Sequence, residues 1–320
     1  MKKFDVAALG ELLVDFTENG ISTQGNPVLE ANPGGAPCNV LSMLQNLGKS
    51  TAFIGKVGDD VFGRMLADAV KTLGINTDNL VVDPEVHTTL AFVHTKEDGD
   101  REFSFYRNPG ADMMMHWEEV QQEKLAQTKI FHFGTLSMTH EQVKDATKRA
   151  VQHAKKEGAL ISFDPNLRPP LWNSLVDAAR QMWYGIGQCD ILKISDDEIA
   201  FLTGKEDIDQ GIAEILKKNH PALVCATMGK QGSKVYYQGK SVFCEPFLRD
   251  DTIETTGAGD TFMACVLNTV LEKGLDSLTG DDLHEMLRFA NAASSIITTR
   301  KGALKVMPKR EEIISMLTQK

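Results

Sequence analysis

The strongest constraint on the fold is an alternation of short apolar runs with helical patterns in the second half of the chain. Four runs read as buried strands, at residues 129–135, 160–165, 191–195 and 222–229. Between the first two, small and apolar residues recur at helical spacing, at Val143, Ala146, Ala150 and Ala154. Thr139 precedes this run as a predicted cap and Gly158 follows it as a predicted stop. The repeated order of strand and helix predicts an α/β fold with a mostly parallel sheet.

Two segments in the first half break this alternation. Residues 88–95 and 101–107 read as strands with no helix between them, and residues 96–100 read as their turn. An antiparallel hairpin inserted into a parallel α/β chain is expected to lie outside the main sheet. We therefore predict one domain over residues 1–320, with a small β-sheet lid formed by roughly residues 12–33 and 88–112.

Charge and composition exclude several classes of protein. The net charge of -10, from 34 basic and 44 acidic side chains, argues against a nucleic-acid-binding surface. No uncharged apolar stretch approaches the ~18 residues of a membrane-spanning helix, and Asp5 and Glu11 interrupt the first apolar run before a signal peptide could form. The five cysteines and eight histidines show no metal-binding spacing. We expect a cytoplasmic protein without a structural metal.

One short segment carries the chemistry. Gly257, Ala258, Gly259 and Asp260 open an apolar helical run that ends near Gly274. Backbone N–H groups at such a helix start can converge on an anion, such as a phosphoryl group in transfer. Asp260 would then lie close enough to a hydroxyl group at the same anion site to act as a general base. Taken alone, the string is also typical of a tight turn with a capping aspartate.

Three motifs together resemble the ribokinase/pfkB family of carbohydrate kinases, in the family's order. They are residues 34–39 (Gly-Gly-Ala-Pro-Cys-Asn), residues 55–63 and residues 257–260. Runs that begin at Gly10, Phe103 and Asp164 are similar to the bacterial fructokinase branch. The resemblance implies a ribokinase-like three-layer αβα sandwich. It also implies ATP-dependent phosphorylation of the primary hydroxyl of a sugar, with D-fructose favoured as the substrate.

The same resemblance implies the site residues. Those facing the sugar would be Asp15, Gly34, Gly35, Asn39, Phe105, Arg107 and Arg168. Those facing ATP would be Lys193, Thr227, Gly229, Gly232 and Asn291. Glu198 would hold Mg²⁺ through a water molecule. Glu254 stands where the family usually has an aspartate that ligates K⁺ in several members, and its longer side chain would reposition that ligand.

Several alternatives stay open at this point. The substrate of a 2-keto-3-deoxygluconate kinase carries a carboxylate that Arg107 or Arg168 could pair. A catalytically silent sugar- or nucleotide-binding regulator would have lost Asp260 or the glycines, and both are present. A nicotinamide dehydrogenase is disfavoured because Gly-x-Gly-x-x-Gly is absent after the first strand. An exposed lid sheet could also pair with a second copy, which predicts a homodimer.

Overall fold

Nine strands form the central sheet of the computed structural model, which describes residues 2–95 and 101–318. In spatial order they are β13 (Lys240–Cys244), β12 (Ser233–Tyr237), β11 (Leu223–Thr227), β10 (Ile191–Ser195), β9 (Leu160–Asp164), β8 (Thr128–Gly134), β1 (Phe4–Leu9), β4 (Thr51–Gly58) and β5 (Asn76–Asp83). All pairs from β5 to β11 are parallel, and β11, β12 and β13 pair antiparallel. The predicted parallel sheet is confirmed.

Helices cover both faces of this sheet, so most of its strands are nearly continuous apolar runs. One face packs against α1 (Ala36–Asn46), α2 (Val61–Thr72), α8 (Ala258–Lys273), α9 (Gly280–Ile297) and α10 (Arg310–Thr318). The other face packs against α3 (Gln122–Ala126), α4 (Glu141–Lys156), α5 (Leu175–Gln188), α6 (Asp196–Thr203) and α7 (Ile208–Lys218). Each face has its own apolar core, which confirms the three-layer αβα sandwich. No helix in the described ranges has the length and apolarity to cross a bilayer.

A second, smaller sheet lies outside the sandwich. Its strand order is β3 (Pro27–Gly34), β2 (Leu13–Ile21), β6 (Leu90–Thr95) and β7 (Arg101–Tyr106). The predicted hairpin is present, because β6 and β7 pair antiparallel, and β2 joins them parallel to β6. The predicted turn at 96–100 lies outside the described residues. This lid sheet follows β1 directly, so it stands at the carboxyl edge of the parallel strands, where α/β sheets bind ligands.

The ends of two helices can be compared with the caps and stops that the sequence predicted. Helix α8 ends at Lys273 before Gly274, as predicted. The predicted cap of α4 was placed one residue early, since the helix begins at Glu141 with His140 as its N-cap. The Thr139 hydroxyl instead donates to the Leu136 carbonyl at 2.8 Å and accepts from Arg107. The hydroxyl binds these two partners, and no side chain caps the N-terminus of α4.

Candidate active site

The start of α8 is an open helix N-terminus. Gly257 forms its cap with a φ of 77° and without a capping side chain, and the amide of Thr261 donates to its carbonyl. The amide of Ala258 closes a turn onto the Thr255 carbonyl at 3.2 Å. Within residues 2–95 and 101–318, the amides of Gly259 and Asp260 meet no acceptor. The sequence predicted an anion site at the amides of residues 257–260. Because the Ala258 amide is already hydrogen-bonded to Thr255, it is not available to an anion in this structure.

Asp260 lies in the first turn of this helix and is buried. The side-chain amide nitrogen of Asn39, from the first turn of α1, donates to its Oδ2 at 2.8 Å. Desolvation by burial raises the pKa of Asp260 to about 6, although the hydrogen bond from Asn39 acts in the opposite direction. A carboxyl group with this pKa is ionised at neutral pH and can still accept a proton readily.

A buried ion pair lies against the same helix start. Lys193 on β10 places its Nζ 3.2 Å and 3.1 Å from the two carboxylate oxygens of Asp164 on β9. A Cβ atom on Gly259 would stand 3.0 Å from that Nζ, so the ammonium group adjoins the α8 amides. Desolvation lowers the pKa of Lys193, but Asp164 and Glu198 outweigh it, and the net shift is upward. Lys193 is therefore charged where a phosphoryl group would bind.

Asp15 on β2 belongs to this site as well. Burial raises its pKa to about 7, Arg168 acts in the opposite direction, and Glu254 and Asp260 add to the rise. Arg168 is exposed and also lowers the pKa of Asp260, so its charge acts on both acids. A Cβ atom on Gly34 would collide with the Asp15 carboxylate. The predicted residues from the first, middle and last thirds of the chain therefore meet at one place.

Gly35 is required by close packing. Its φ is 130°, and a Cβ atom there would collide with the Glu11 carbonyl. The Glu11 side chain in turn accepts the Ala36 amide at 2.8 Å and so takes up an open donor at the start of α1. This packing lets the first turn of α1, which carries Asn39, lie against the end of β1.

Arg107 occupies a different environment from the acids. The three guanidinium nitrogens of Arg107 are all engaged: Nε with Asp112 (2.9 Å), Nη1 with Thr139 (2.8 Å) and Nη2 with the Leu136 carbonyl (3.0 Å). These bonds attach the end of the lid strand β7 to the rest of the protein. Because they occupy the guanidinium group, they do not support the predicted contact of Arg107 with the sugar.

Phe105 pairs across the lid with Ala91, which pairs with Asp15. Phe105 thus shares a sheet face with Asp15, two strands or roughly 10 Å away.

A cavity of about 270 Å³ adjoins the α8 N-terminus, and its lining residues all lie outside the lid sheet. Four of the five residues predicted to face ATP line it, namely Thr227, Gly229, Gly232 and Asn291. Lys193 does not line it but lies beside Gly259, which does. The Asn291 side chain accepts from Ser233 at 2.8 Å and donates to the carbonyls of Cys244 and Glu245, so it mainly joins α9 to the strand edge.

Sequence analysis assigned no role to several other residues of this cavity or to Asp164, the partner of Lys193 in the buried ion pair. Phe247 and Leu248 contribute apolar wall, and Ser294 and Thr298 follow Asn291 at helical spacing. That spacing was a usable signal, since residues three and seven positions on share a helix face. Asp164 was part of a recognised motif without a role, although its position at the end of β9 marks it as a ligand-site candidate.

The two predicted metal residues are held by backbone amides. Glu198 accepts from Leu167 at 2.8 Å and from Ser195 at 2.9 Å, one amide on each carboxylate oxygen. Each oxygen keeps a second lone pair, which fits a contact to a metal-bound water. Glu254 accepts the amide of Gly302 at 2.8 Å. No cluster of three metal-ligating side chains occurs in the part of the chain that the structure describes.

Comparison with known proteins places these features in a family. The model of the pfkB family of carbohydrate kinases matches residues 3–310. A probable fructokinase-2 of Arabidopsis thaliana is 40% identical over 98% of this chain and 95% of its own length. Fructokinase-2 of Solanum lycopersicum is 39% identical, also over 98% of this chain and 95% of its own.

Solved structures agree with this match. A fructokinase from Xylella fastidiosa with bound ATP superposes with a TM-score of 0.90 at 29% identity, over 100% of this chain and 99% of the other. A fructokinase from Vibrio cholerae, solved with fructose, ADP and calcium, superposes with a TM-score of 0.87 at 26% identity, over 98% and 99% of the two chains.

Proposed function

The chain belongs to the pfkB family of carbohydrate kinases, and on that premise we propose that it phosphorylates D-fructose with ATP to give fructose 6-phosphate. One observation carries the proposal: a buried carboxylate, Asp260, lies at an open helix N-terminus beside the charged Lys193. A phosphoryl-transfer site needs these three elements, namely a base, amide donors and a cation. The named relatives are a probable fructokinase-2 and a fructokinase-2, and each matches 98% of this chain. They support fructose as the sugar.

The proposed step is a direct transfer between the two substrates. Asp260 takes the proton from the primary hydroxyl of the sugar while the hydroxyl oxygen forms a bond to the γ-phosphorus. The bond from that phosphorus to the β-phosphate oxygen breaks, and ADP leaves. The amides of Gly259 and Asp260 and the ammonium group of Lys193 stabilise the negative charge on the phosphoryl oxygens.

On the sugar side, Asp15 can accept hydrogen bonds from hydroxyl groups, and Arg168 offers donors at the mouth of the site. The lid sheet that carries Asp15 and Phe105 would close over the sugar. Closure excludes water, which would otherwise compete for the phosphoryl group.

On the nucleotide side, the 270 Å³ cavity would receive ATP, with Gly229 and Gly232 leaving room and Phe247 and Leu248 packing against the base. The residues present fit Mg²⁺ bound largely by phosphate oxygens and water, with Glu198 accepting from one of those waters. Magnesium would neutralise phosphate charge. A monovalent cation near Glu254 stays a prediction.

The alternative substrate, 2-keto-3-deoxygluconate, depended on arginines free to pair a carboxylate. Arg107 forms a buried ion pair with Asp112 and also binds Thr139 and Leu136. Arg168 therefore remains as the exposed arginine of the two. One of the two arginines on which the acidic substrate depended is thus engaged within the protein, and the fructokinase relatives favour fructose over the keto acid. The silent regulator is disfavoured because Asp260 is retained and lies buried near Lys193 at the start of α8.

Assays of purified protein with Mg²⁺, ATP and a panel of fructose, tagatose, ribose, adenosine and 2-keto-3-deoxygluconate test the substrate. We expect the highest kcat/KM with fructose. Failure of every sugar to stimulate ADP formation would refute the kinase assignment, and preference for the keto acid would refute fructose.

The variant Asp260→Asn tests the base. We expect kcat to fall roughly 10²-fold or more, the range for the loss of a general base, while KM for fructose changes little. Asp145→Asn, at an exposed position of α4, is the matched control and should keep wild-type kinetics. Near-normal turnover of folded Asp260→Asn would remove Asp260 from the mechanism.

A further inference from the structure

Asn39 is the one neighbour that donates a side-chain hydrogen bond to Asp260 within the described residues. Its Nδ2 lies 2.8 Å from Asp260 Oδ2, and both side chains are buried, at 4% and 8% exposure. The two residues are 221 positions apart in the sequence, each in the first turn of its helix. Both helices begin at a glycine, which supplies no capping side chain, and this bond joins their first turns at the proposed catalytic carboxylate.

The carboxylate fixes which way the amide of Asn39 faces. A reversed amide would put its oxygen 2.8 Å from a carboxylate oxygen, where the two would repel. In the correct orientation the Asn39 oxygen is shut off from solvent, and it meets no donor within residues 2–95 and 101–318. A sugar hydroxyl could reach that oxygen only after a rearrangement. The contact with Asp260 is the one that the amide already makes.

We propose that Asn39 is a positioning residue for the general base: it holds Oδ2 of Asp260 and leaves Oδ1 to take the proton. The inference rests on the proposed kinase function and assigns to Asn39 a role other than the sugar contact expected from the motif. An unpartnered buried oxygen is a cost to stability, so the asparagine is better explained by what its nitrogen does.

The electrostatic surroundings make this bond important. Asp260 faces Asp164 on β9 and Asp15 on β2, which disfavour its ionised form, and Lys193 and Arg168, which favour it. The hydrogen bond from Asn39 is the main influence that opposes desolvation. Loss of this donor should therefore raise the pKa of Asp260 above its value of about 6.

Two variants at position 39 test the role. Asn39→Asp keeps the shape of the side chain but places a second carboxylate against Asp260. Asn39→Ser removes the amide group that donates to Asp260 Oδ2. We expect the acidic limb of the kcat profile to move up by about one pH unit in Asn39→Ser and further in Asn39→Asp. The loss of kcat in Asn39→Ser should be about fivefold at pH 6 and should shrink as the pH rises. Asn268→Ser, at a buried asparagine of α8, is the matched control and should leave the limb in place.

A second measurement is independent of turnover. The ¹³C resonance of the Asp260 carboxyl, assigned by its absence in Asp260→Asn, is titrated in the wild type and in both variants. We expect its midpoint to move upward with the kinetic limb. An unmoved midpoint in folded Asn39→Ser, or a rise in fructose KM with an unmoved limb, would overturn the proposal in favour of a sugar contact. A moved midpoint in a protein that phosphorylates no sugar would instead refute the kinase function alone.

Discussion

At the scale of single residues, the site keeps two acids under conditions that disfavour their charge. Asp15 and Asp260 have pKa values raised to about 7 and about 6, in both cases mainly by burial. A carboxyl group whose pKa is higher in the folded than in the unfolded state opposes folding when it is ionised. That penalty is full above the folded pKa and vanishes below the unfolded one. Both acids therefore cost stability at neutral pH.

Asp15→Asn is expected to stabilise the protein and weaken sugar binding. At pH 8 the free energy of unfolding should rise by about 1–2 kcal/mol, less than the shift alone implies because the side chain is partly exposed. At pH 4, near the unfolded pKa, the gain should disappear. The KM for fructose should rise tenfold or more because hydrogen bonds to a charged acceptor are lost.

Urea unfolding at the two pH values and steady-state kinetics measure these effects. A similar stability gain at both pH values would show that the charge of Asp15 is not responsible. An unchanged KM would remove Asp15 from the sugar site.

At the scale of elements, the start of α8 depends on the backbone of Gly257. Its φ of 77° is unfavourable for other residues by about 1–2 kcal/mol, and a Cβ atom there would lie 2.7 Å from the Cβ of Ala303. Gly274 at the other end of the helix has a similar φ of 84°, but a Cβ atom there would come no closer than 3.7 Å to a neighbour. The two glycines therefore differ in crowding and in distance from the site.

Gly257→Ala should destabilise the protein and reduce kcat by tenfold or more, because the relief of the collision redirects the amides that follow. Gly274→Ala is the matched control, and we expect it to cost about 1 kcal/mol without a change in kcat. Thermal unfolding and turnover of both variants check this. Equal kinetic effects in the two would mean that the geometry at residue 257 has no special part in catalysis.

Prediction from sequence succeeded at this scale where one local signal decides the structure. The apolar run at 191–195 became β10 with identical bounds, and Gly274 ended α8. The N-cap of α4 is His140 and not Thr139, whose hydroxyl binds the Leu136 carbonyl and Arg107, which is 32 positions earlier in the chain. Local preference cannot reveal a competing partner that only the fold supplies.

At the scale of the whole molecule, the motifs identified the residues but not their partners. Asp260, Asn39 and Lys193 were all named from sequence. The bond between Asn39 and Asp260, and the pairing of Lys193 with Asp164, arise from residues 221 and 29 positions apart. The internal use of Arg107 likewise required the position of Asp112 in three dimensions. Sequence therefore supplied the composition of the site, whereas its electrostatics came from the fold.

The outer face of the lid sheet is our proposed surface for a homodimer. Phe16 stacks on Phe92 at 4.9 Å between ring centroids, and Phe92 meets Tyr106 at 5.1 Å. Tyr106 and Leu29 on this face are 67% and 41% exposed. An apolar sheet face of this kind is typical of a surface that pairs with a second copy.

We expect sedimentation equilibrium to give twice the mass of one chain for the wild type and the monomer mass for Tyr106→Arg. Val176→Arg, at a 71% exposed apolar residue on α5, is the matched control and should stay dimeric. A monomeric wild type, or a dimer that survives Tyr106→Arg and the further change Leu29→Asp, would place the interface elsewhere or remove it.

The ion pair between Lys193 and Asp164 has a consequence for protein engineering. The segment that begins at Asp164 leads to Arg168 on the sugar side, whereas Lys193 adjoins the amides on the phosphate side. Grafting a loop with different sugar selectivity into 164–172 would therefore also disturb the handling of ATP, unless the aspartate at its first position is retained. Selection for a new acceptor specificity should accordingly favour changes beyond that first position, on the lid or around Arg168.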